Sequence, residues 1–242
     1  MHPPKILAPK ILACGDAALT VEFGSTIDPR LNARVLALDA RVAAGVPGVV
    51  ETVPTYRSLL VHYDPIATDF EQLSQALLAL CTDLPDTPAE ARIWRIPVVY
   101  GGEFGIDLDD VAERHGLSPA ELIAKHAAPT YRVYMIGFLP GFSYLGGLDP
   151  TIATSRRVSP RTHTPAGTIS IGGVQALVAS LAAPSGWHLL GRTPVRTFMP
   201  GRDPTFLLGP GDRVRFEAIA PSRWDALDRA AAAGDPVAEV IG

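Results

Sequence analysis

Helical periodicity stops at residue 130. Upstream of that point apolar residues recur at the i, i+3, i+4, i+7 spacing of amphipathic helices. Downstream, short runs of alternating character are cut repeatedly by Gly and Pro: Arg132–Ile136, Thr168–Ile171, Val174–Leu181, Trp187–Leu190 and Asp212–Ile219. Segments this short cannot stack as helices. Strands of that length bury their apolar face only by closing or pairing into a compact β-barrel or sandwich. "RWDALDRAAAAG" near the C-terminus reads as a short surface helix that closes the chain.

The first half has a different grammar. Ala18–Phe23 alternates as a strand, and Asp28-Pro29 then supplies an N-cap with proline at N1. Leu31, Val35, Leu38 and Val42 follow at helical spacing, with Gly45 as the stop. Val49–Val53 and Ser58–Tyr63 are β-rich runs around Pro54-Thr55. A second helix is expected from the capping box Thr68–Glu71, burying Phe70, Leu73, Leu77 and Leu80. The order β-α-β-β-α gives an α+β domain one strand short of a ferredoxin-like unit. The Pro- and acid-rich stretch "CTDLPDTPAEA" marks the boundary, between residues 82 and 92. The expected domains are 1–88 (N-terminal α/β) and 89–242 (β-barrel). The barrel domain carries two short helices near its start, one from Asp107 to Gly116 and one opened by Ser118-Pro119 with Glu121.

Composition removes several classes of function. With 47% hydrophobic residues the chain can bury a sizeable core, and a net charge of −4 argues against nucleic acid as partner. No run of about 18 apolar residues is present, so no membrane span is expected. The opening "MHPPKILAPKIL" repeats itself locally and lacks a signal-peptide core, which predicts a cytoplasmic protein. Cys14 and Cys81 form no CxxC and are expected to fill core space. Charge is uneven, however. Residues 151–223 hold nine arginines against three acids and no lysine. Arginine alone suits bidentate recognition of carboxylate or phosphate, and it equally suits a solvated face.

The motifs for familiar chemistry are absent. Gly141-Phe142-Ser143-Tyr144-Leu145 lacks the second glycine of a nucleophile elbow, so Ser143 is read as a loop hydroxyl. There is no P-loop, no dinucleotide fingerprint in strand–helix context, and no zinc-binding His-Glu-x-x-His; no metal ligands are assigned. What stands out is "YMIGFLPGFSYLGGLDP", where Gly137, Phe138, Pro140, Gly141, Phe142 and Tyr144 put permissive backbone beside aromatic rings. Pro165, Gly167 and Trp187 belong to the Gly/Pro-rich stretches that follow. Arg161 and Arg192 each sit between turn residues and a strand, either facing an anion at the barrel mouth or covering the barrel end.

These stretches together are similar to a known family. "VEFG", "VPTYRSLLVHYDP", "IPVVYGGEFGIDLDDVA", "YRVYMIGFLPGFSYLGGLDP", "PAGTISIGG", "GWHLLGRTP" and "GPGDRVRF" resemble the B-type component of the bacterial ATP-dependent 5-oxoprolinases, a family also called KipI or allophanate hydrolase subunit 1. Three stretches depart from it, all in the second half. Pro184-Ser185-Gly186-Trp187 replaces Pro-Gly-Gly-Trp, Ser155-Arg156 replaces the first of a Pro-Arg pair, and Gln175–Ser180 reads QALVAS.

The resemblance implies an N-terminal α/β domain followed by a cyclophilin-like barrel. It implies a subunit that helps open 5-oxo-L-proline to L-glutamate, inactive alone, working with a sister barrel subunit (C type) and a third subunit (A type). ATP is shared with a partner, and Mg is left open. In that setting Arg161 and Arg192 are expected to hold anionic groups, while His126 or Glu103 handles a proton. The loop from Phe138 and residues Pro165, Gly167 and Trp187 form a binding wall. Two other functions stay open: an inhibitor of a histidine kinase, or a subunit related to allophanate hydrolase and urea carboxylase. Prolyl isomerisation follows from fold analogy alone.

Overall fold

A computed structural model describes residues 8–242, so the first copy of the PKIL repeat, Pro4–Leu7, lies outside the described residues. The chain divides into two compact units, the first ending at Glu90 and the second running Ala91–Gly242.

The first unit is a four-stranded antiparallel sheet with two helices. Its elements are β1 (Lys10–Ala13), β2 (Ala18–Glu22), α1 (Pro29–Ala43), β3 (Val49–Pro54), β4 (Ser58–Tyr63) and α2 (Phe70–Leu80), and the sheet order is β1-β2-β4-β3. β4 alternates strictly, so Leu59, Val61 and Tyr63 face inward. They meet Leu31, Val35, Leu38 and Val42 of α1 and Leu73 and Leu77 of α2. α1 starts as the sequence predicts, with the Asp28 carboxylate accepting from Arg30 N at 2.7 Å and Pro29 at the first position.

α2 differs from expectation. Its cap is Asp69, which accepts from Gln72 N at 2.8 Å, rather than Thr68. Phe70 is 37% exposed because the helix begins at that residue and turns it outward. Cys81 is buried, but Cys14 is exposed, since β1 ends one residue earlier and Cys14 opens the β1–β2 turn. β1 itself, the second copy of the repeat, is a strand that the sequence pattern does not predict.

The second unit is a barrel. Its elements are β5 (Ile93–Tyr100), α3 (Leu108–Arg114), α4 (Pro119–Ala127), β6 (Tyr131–Ile136), β7 (Ser143–Gly146), β8 (Arg161–Thr164), β9 (Thr168–Gly172), β10 (Gln175–Val178), β11 (Ala183–Ser185), β12 (His188–Arg192), β13 (Arg213–Ala218), α5 (Trp224–Ala232) and β14 (Glu239–Val240). The sheet runs β12-β9-β10-β7-β6-β13-β5, and β12 pairs back onto β5 to close a ring of seven strands, with β14 added to β5. A closed ring with an odd number of strands cannot alternate direction throughout, so one neighbouring pair must be parallel. That pair is β5–β13, in register from Ile93↔Arg213 to Val98↔Ala218.

Alternate residues fill the ring: Ile96 and Val98, Tyr131 and Val133, Ile169 and Ile171, Val214 and Phe216. α4 carries the complete capping box that its sequence predicts, Ser118 with Glu121. It adds Leu122 and His126 to the buried set. β8 and β11 form a separate two-stranded sheet. Among the described residues no helix is long and apolar enough to cross a membrane.

Candidate functional site

The turn between β6 and β7 is built to hold aromatic rings at the surface. Gly137 N donates to Phe142 O and Phe142 N to Leu139 O, both at 3.1 Å, which folds the chain tightly back on itself. Gly141 sits at φ +76°, and a Cβ there would stand 2.6 Å from Phe198 Cβ, so glycine alone fits. Its carbonyl accepts from Ser143 Oγ at 3.2 Å and Thr197 Oγ at 3.0 Å. Ser143 is the first residue of β7 rather than a loop residue, and its buried hydroxyl is committed to the turn. Phe138 is unusual on two counts. It is a bulky residue at φ +72°, and it is 66% exposed, in T-shaped contact with buried Phe142 at 5.5 Å.

Facing this turn, the 155–160 loop is pinned to the chain on either side of Trp187. Arg157 N donates to Gly186 O at 2.7 Å, and His188 Nε2 donates to Ser155 O at 2.9 Å. Between the two walls lies a groove of about 310 Å³, lined by Phe138, Phe142, Tyr144 and Trp187 on its aromatic side and by Arg156 and Arg157 among its polar residues. Trp187 packs flat against Gly172 and edge-on to Tyr144 at 6.1 Å. The Arg156 guanidinium lies 5.6 Å over the Trp187 ring. Burial raises the Tyr144 phenol pKa, and the positive charge of Arg156 opposes that shift.

Asp107 is connected to the groove through Arg157, one of its lining residues. It occupies the N-cap position of α3 but makes no cap hydrogen bond. Its buried carboxylate instead accepts from both Nη atoms of Arg161, at 2.6 and 2.9 Å, from Leu189 N at 2.8 Å, and from Arg157 Nη1 at 3.4 Å. One carboxylate therefore ties together the loop, β8 and the start of β12.

The structure sorts the residues expected from sequence into separate places. Phe138, Phe142, Tyr144 and Trp187 meet in the groove, while Gly137, Pro140 and Gly141 shape its turn. Arg161 is engaged by Asp107 and is not among the residues that line the groove. Arg192 serves other partners: its Nε and Nη2 donate to Ala166 O at 3.2 and 3.1 Å, and its guanidinium lies 4.9 Å over Trp224. Burial lowers the Arg192 pKa, and Glu103 is among the charges acting on it. Pro165 and Gly167 belong to that same turn, where a Cβ on Gly167 would strike Thr193 O at 2.3 Å.

His126 lies in the barrel core, not on the groove. Its ring stacks on Phe216 at 5.0 Å, its Nδ1 is 2.8 Å from Tyr100 OH, and its Nε2 is buried with no partner among the described residues. Burial depresses its pKa to about 3, so at neutral pH it is an uncharged core ring rather than a proton carrier for the groove.

Sequence reasoning does not single out Asp107, Arg156 and Arg157 as a cluster. The arginine-only segment and the Ser155-Arg156 departure are the available signals. The groove they form can hold an anion on guanidinium forks while a flat body rests on indole and phenol faces. Among the described residues no cluster of three or more His, Cys, Asp and Glu is placed to hold a metal ion.

Comparison with known proteins places the chain. Residues 9–208 match the family described as carboxyltransferase domain, subdomain C and D. The B subunit of 5-oxoprolinase from Bacillus subtilis (strain 168) is 39% identical over 224 residues, covering 88% of this chain and 93% of that protein. Its counterpart of the same name from Haemophilus influenzae is 42% identical over 177 residues, 73% of this chain and 83% of that one. The crystal structure of TTHA0988 superposes with a TM-score of 0.75 at 37% identity over 84% of this chain, which spans 40% of that longer chain. The chain belongs to the family of 5-oxoprolinase B subunits, within the carboxyltransferase subdomain C and D group.

Proposed function

We propose that this chain is the B-type subunit of an ATP-dependent 5-oxoprolinase and helps open 5-oxo-L-proline to L-glutamate together with C-type and A-type subunits. The observation that carries this reading is the groove, seen beside an identity of 39% to a 5-oxoprolinase B subunit. 5-Oxoproline is a small, nearly flat lactam ring bearing one carboxylate. Arg156 over Trp187 offers a cation for that carboxylate and a ring face for the lactam.

Opening the ring adds water across the amide bond. The lactam carbonyl becomes a carboxylate and the ring nitrogen an amine, with ATP hydrolysis as the driving reaction. The chain's own residues bind and orient. Among the described residues no nucleophile–base pair borders the groove, so the attacking group is assigned to a partner. The guanidinium forks fit phosphate as well as carboxylate, so nucleotide phosphates are compatible with the same wall, and any Mg²⁺ arrives bound to them.

We further infer a ferredoxin-like N-terminal domain followed by a cyclophilin-like barrel domain. The β-α-β-β-α order of β2 to α2, with β1 added beside β2, and the division after Glu90 support that reading. The functional test is co-purification with the candidate partners, followed by glutamate release from 5-oxoproline with and without ATP. The complete complex is expected to turn over and this chain alone to be inactive. Arg156→Ala should lower kcat/KM by about 10-fold or more, the worth of one charge-assisted contact. A complete complex that leaves 5-oxoproline intact in the presence of ATP refutes the assignment.

A further inference from the structure

The charge around the groove exceeds what a monocarboxylate uses. Arg156 has no carboxylate partner among the described residues; its guanidinium rests on Trp187. Asp107 is shared by two arginines, but unequally. Arg161 takes it as a bidentate fork at 2.6 and 2.9 Å. Arg157 reaches it through one Nη at 3.4 Å, beyond the usual charge-assisted range of about 2.7–2.9 Å. The Nε of Arg157 is buried with no partner among the described residues. One negative charge thus neutralises one guanidinium, that of Arg161, and no described Asp or Glu lines the groove. Two cationic side chains, Arg156 and Arg157, are left facing it. A buried N–H without an acceptor is unfavourable until one arrives.

We infer that the groove is a site for a small dianion, with one anionic group on Arg156 and the second drawing Arg157 away from its stretched contact to Asp107. The ligand class is a short body carrying a carboxylate and a second carboxylate or a phosphate. 5-Oxoproline has a single anionic group, whereas its ring-opened product has two carboxylates beside one ammonium, which neither arginine contacts and which is left to solvent or a partner subunit. Resting on the reading of this groove as the subunit's ligand site, the inference assigns it to the ring-opened side of the reaction, or to a carboxylate ligand that also carries phosphate. Asp107 then acts as a positioning residue that keeps Arg161 occupied and Arg157 available.

The experiment is calorimetric titration of the full chain with two matched pairs: glutarate against butyrate, and 2-phosphoglycolate against glycolate. The parallel assay is 5-oxoproline opening by the assembled complex. Each dianion is expected to bind about 10-fold or more tightly than its monoanion, the effect of one added charge-assisted contact. Arg157→Gln should collapse that ratio toward one, and Arg157→Lys should keep part of it, with thermal melts confirming that both fold. A preference for glutarate alone, or for 2-phosphoglycolate alone, identifies the second group as carboxylate or phosphate and supports the site. Equal affinities in the wild-type chain, absence of dianion binding, or a ratio that survives in folded Arg157→Gln overturns it. Lactam opening without any dianion preference defeats this inference and leaves the subunit assignment standing. A dianion preference in a complex that opens no lactam supports the site and removes the assignment.

Discussion

Acidification should destabilise the barrel unit through a single ring. His126 is fully enclosed, and burial lowers its pKa from 6.5 to about 3. In the unfolded chain the ring ionises near 6.5. Between those values the unfolded state carries a proton that the folded state refuses, so stability rises with pH across this window. The contribution is complete above 6.5 and is lost progressively as the pH falls toward 3. One proton of difference corresponds to about 1.4 kcal/mol per pH unit, hence roughly 2 kcal/mol between pH 6.5 and 5.

Carboxylates also titrate below pH 5, so the comparison must be differential. His126→Gln removes the titration while keeping an acceptor for Tyr100 OH, which lies 2.8 Å from Nδ1. All three tryptophans, Trp94, Trp187 and Trp224, belong to the second unit, so indole fluorescence in urea follows that unit specifically. The variant should be less stable at pH 7.5, with a pH dependence shallower by about 1.4 kcal/mol per unit between roughly pH 4.5 and 6. Parallel lines for the two proteins would show that His126 ionises freely in the fold and would refute the reasoning.

Three further outcomes follow from the turn and the core. Gly141→Ala adds a Cβ at φ +76° and 2.6 Å from Phe198, so it should cost about 1–3 kcal/mol by urea unfolding, while Gly137→Ala, whose Cβ meets open space, should change stability little. Phe138→Gly relieves a positive φ and should raise unfolding free energy by up to about 1 kcal/mol while weakening ligand binding in the groove, a trade visible by measuring both on one preparation. Leu122→Ala, at a fully buried position of α4, should lower the urea midpoint by an amount equivalent to about 2–5 kcal/mol with the slope of the transition unchanged.

The helices most legible in the sequence are those whose start is decided within one turn. Asp28-Pro29 and the Ser118–Glu121 box are local devices, and both form as read. At α2 two polar residues compete side by side, and the choice falls to the carboxylate that reaches Gln72 N. Cys14 looks buried only because its sequence neighbours are apolar, whereas burial depends on where a turn begins. β11 carries Pro184 and reads as a turn, yet it pairs with β8. The aromatic wall was legible because Phe138, Phe142 and Tyr144 lie close together along the chain, at the turn into β7. The spare arginine was not, because which of Arg156, Arg157 and Arg161 is free depends on Asp107, far away along the chain.

The single parallel pair carries a consequence for synthesis. Strands β5 and β13 are the first and the last strands of the ring to leave the ribosome, and β13 alone stands between β5 and β6. Until residue 218 has emerged, the nascent ring stays open at that seam, with backbone donors and acceptors of β5 and β6 unpaired there. Closure by such distant segments should slow folding of this unit and delay it until synthesis is nearly complete. A chain that terminates before Arg213 should therefore accumulate as an aggregation-prone open sheet, even though it retains Asp107, Arg156, Arg157 and every aromatic residue of the groove.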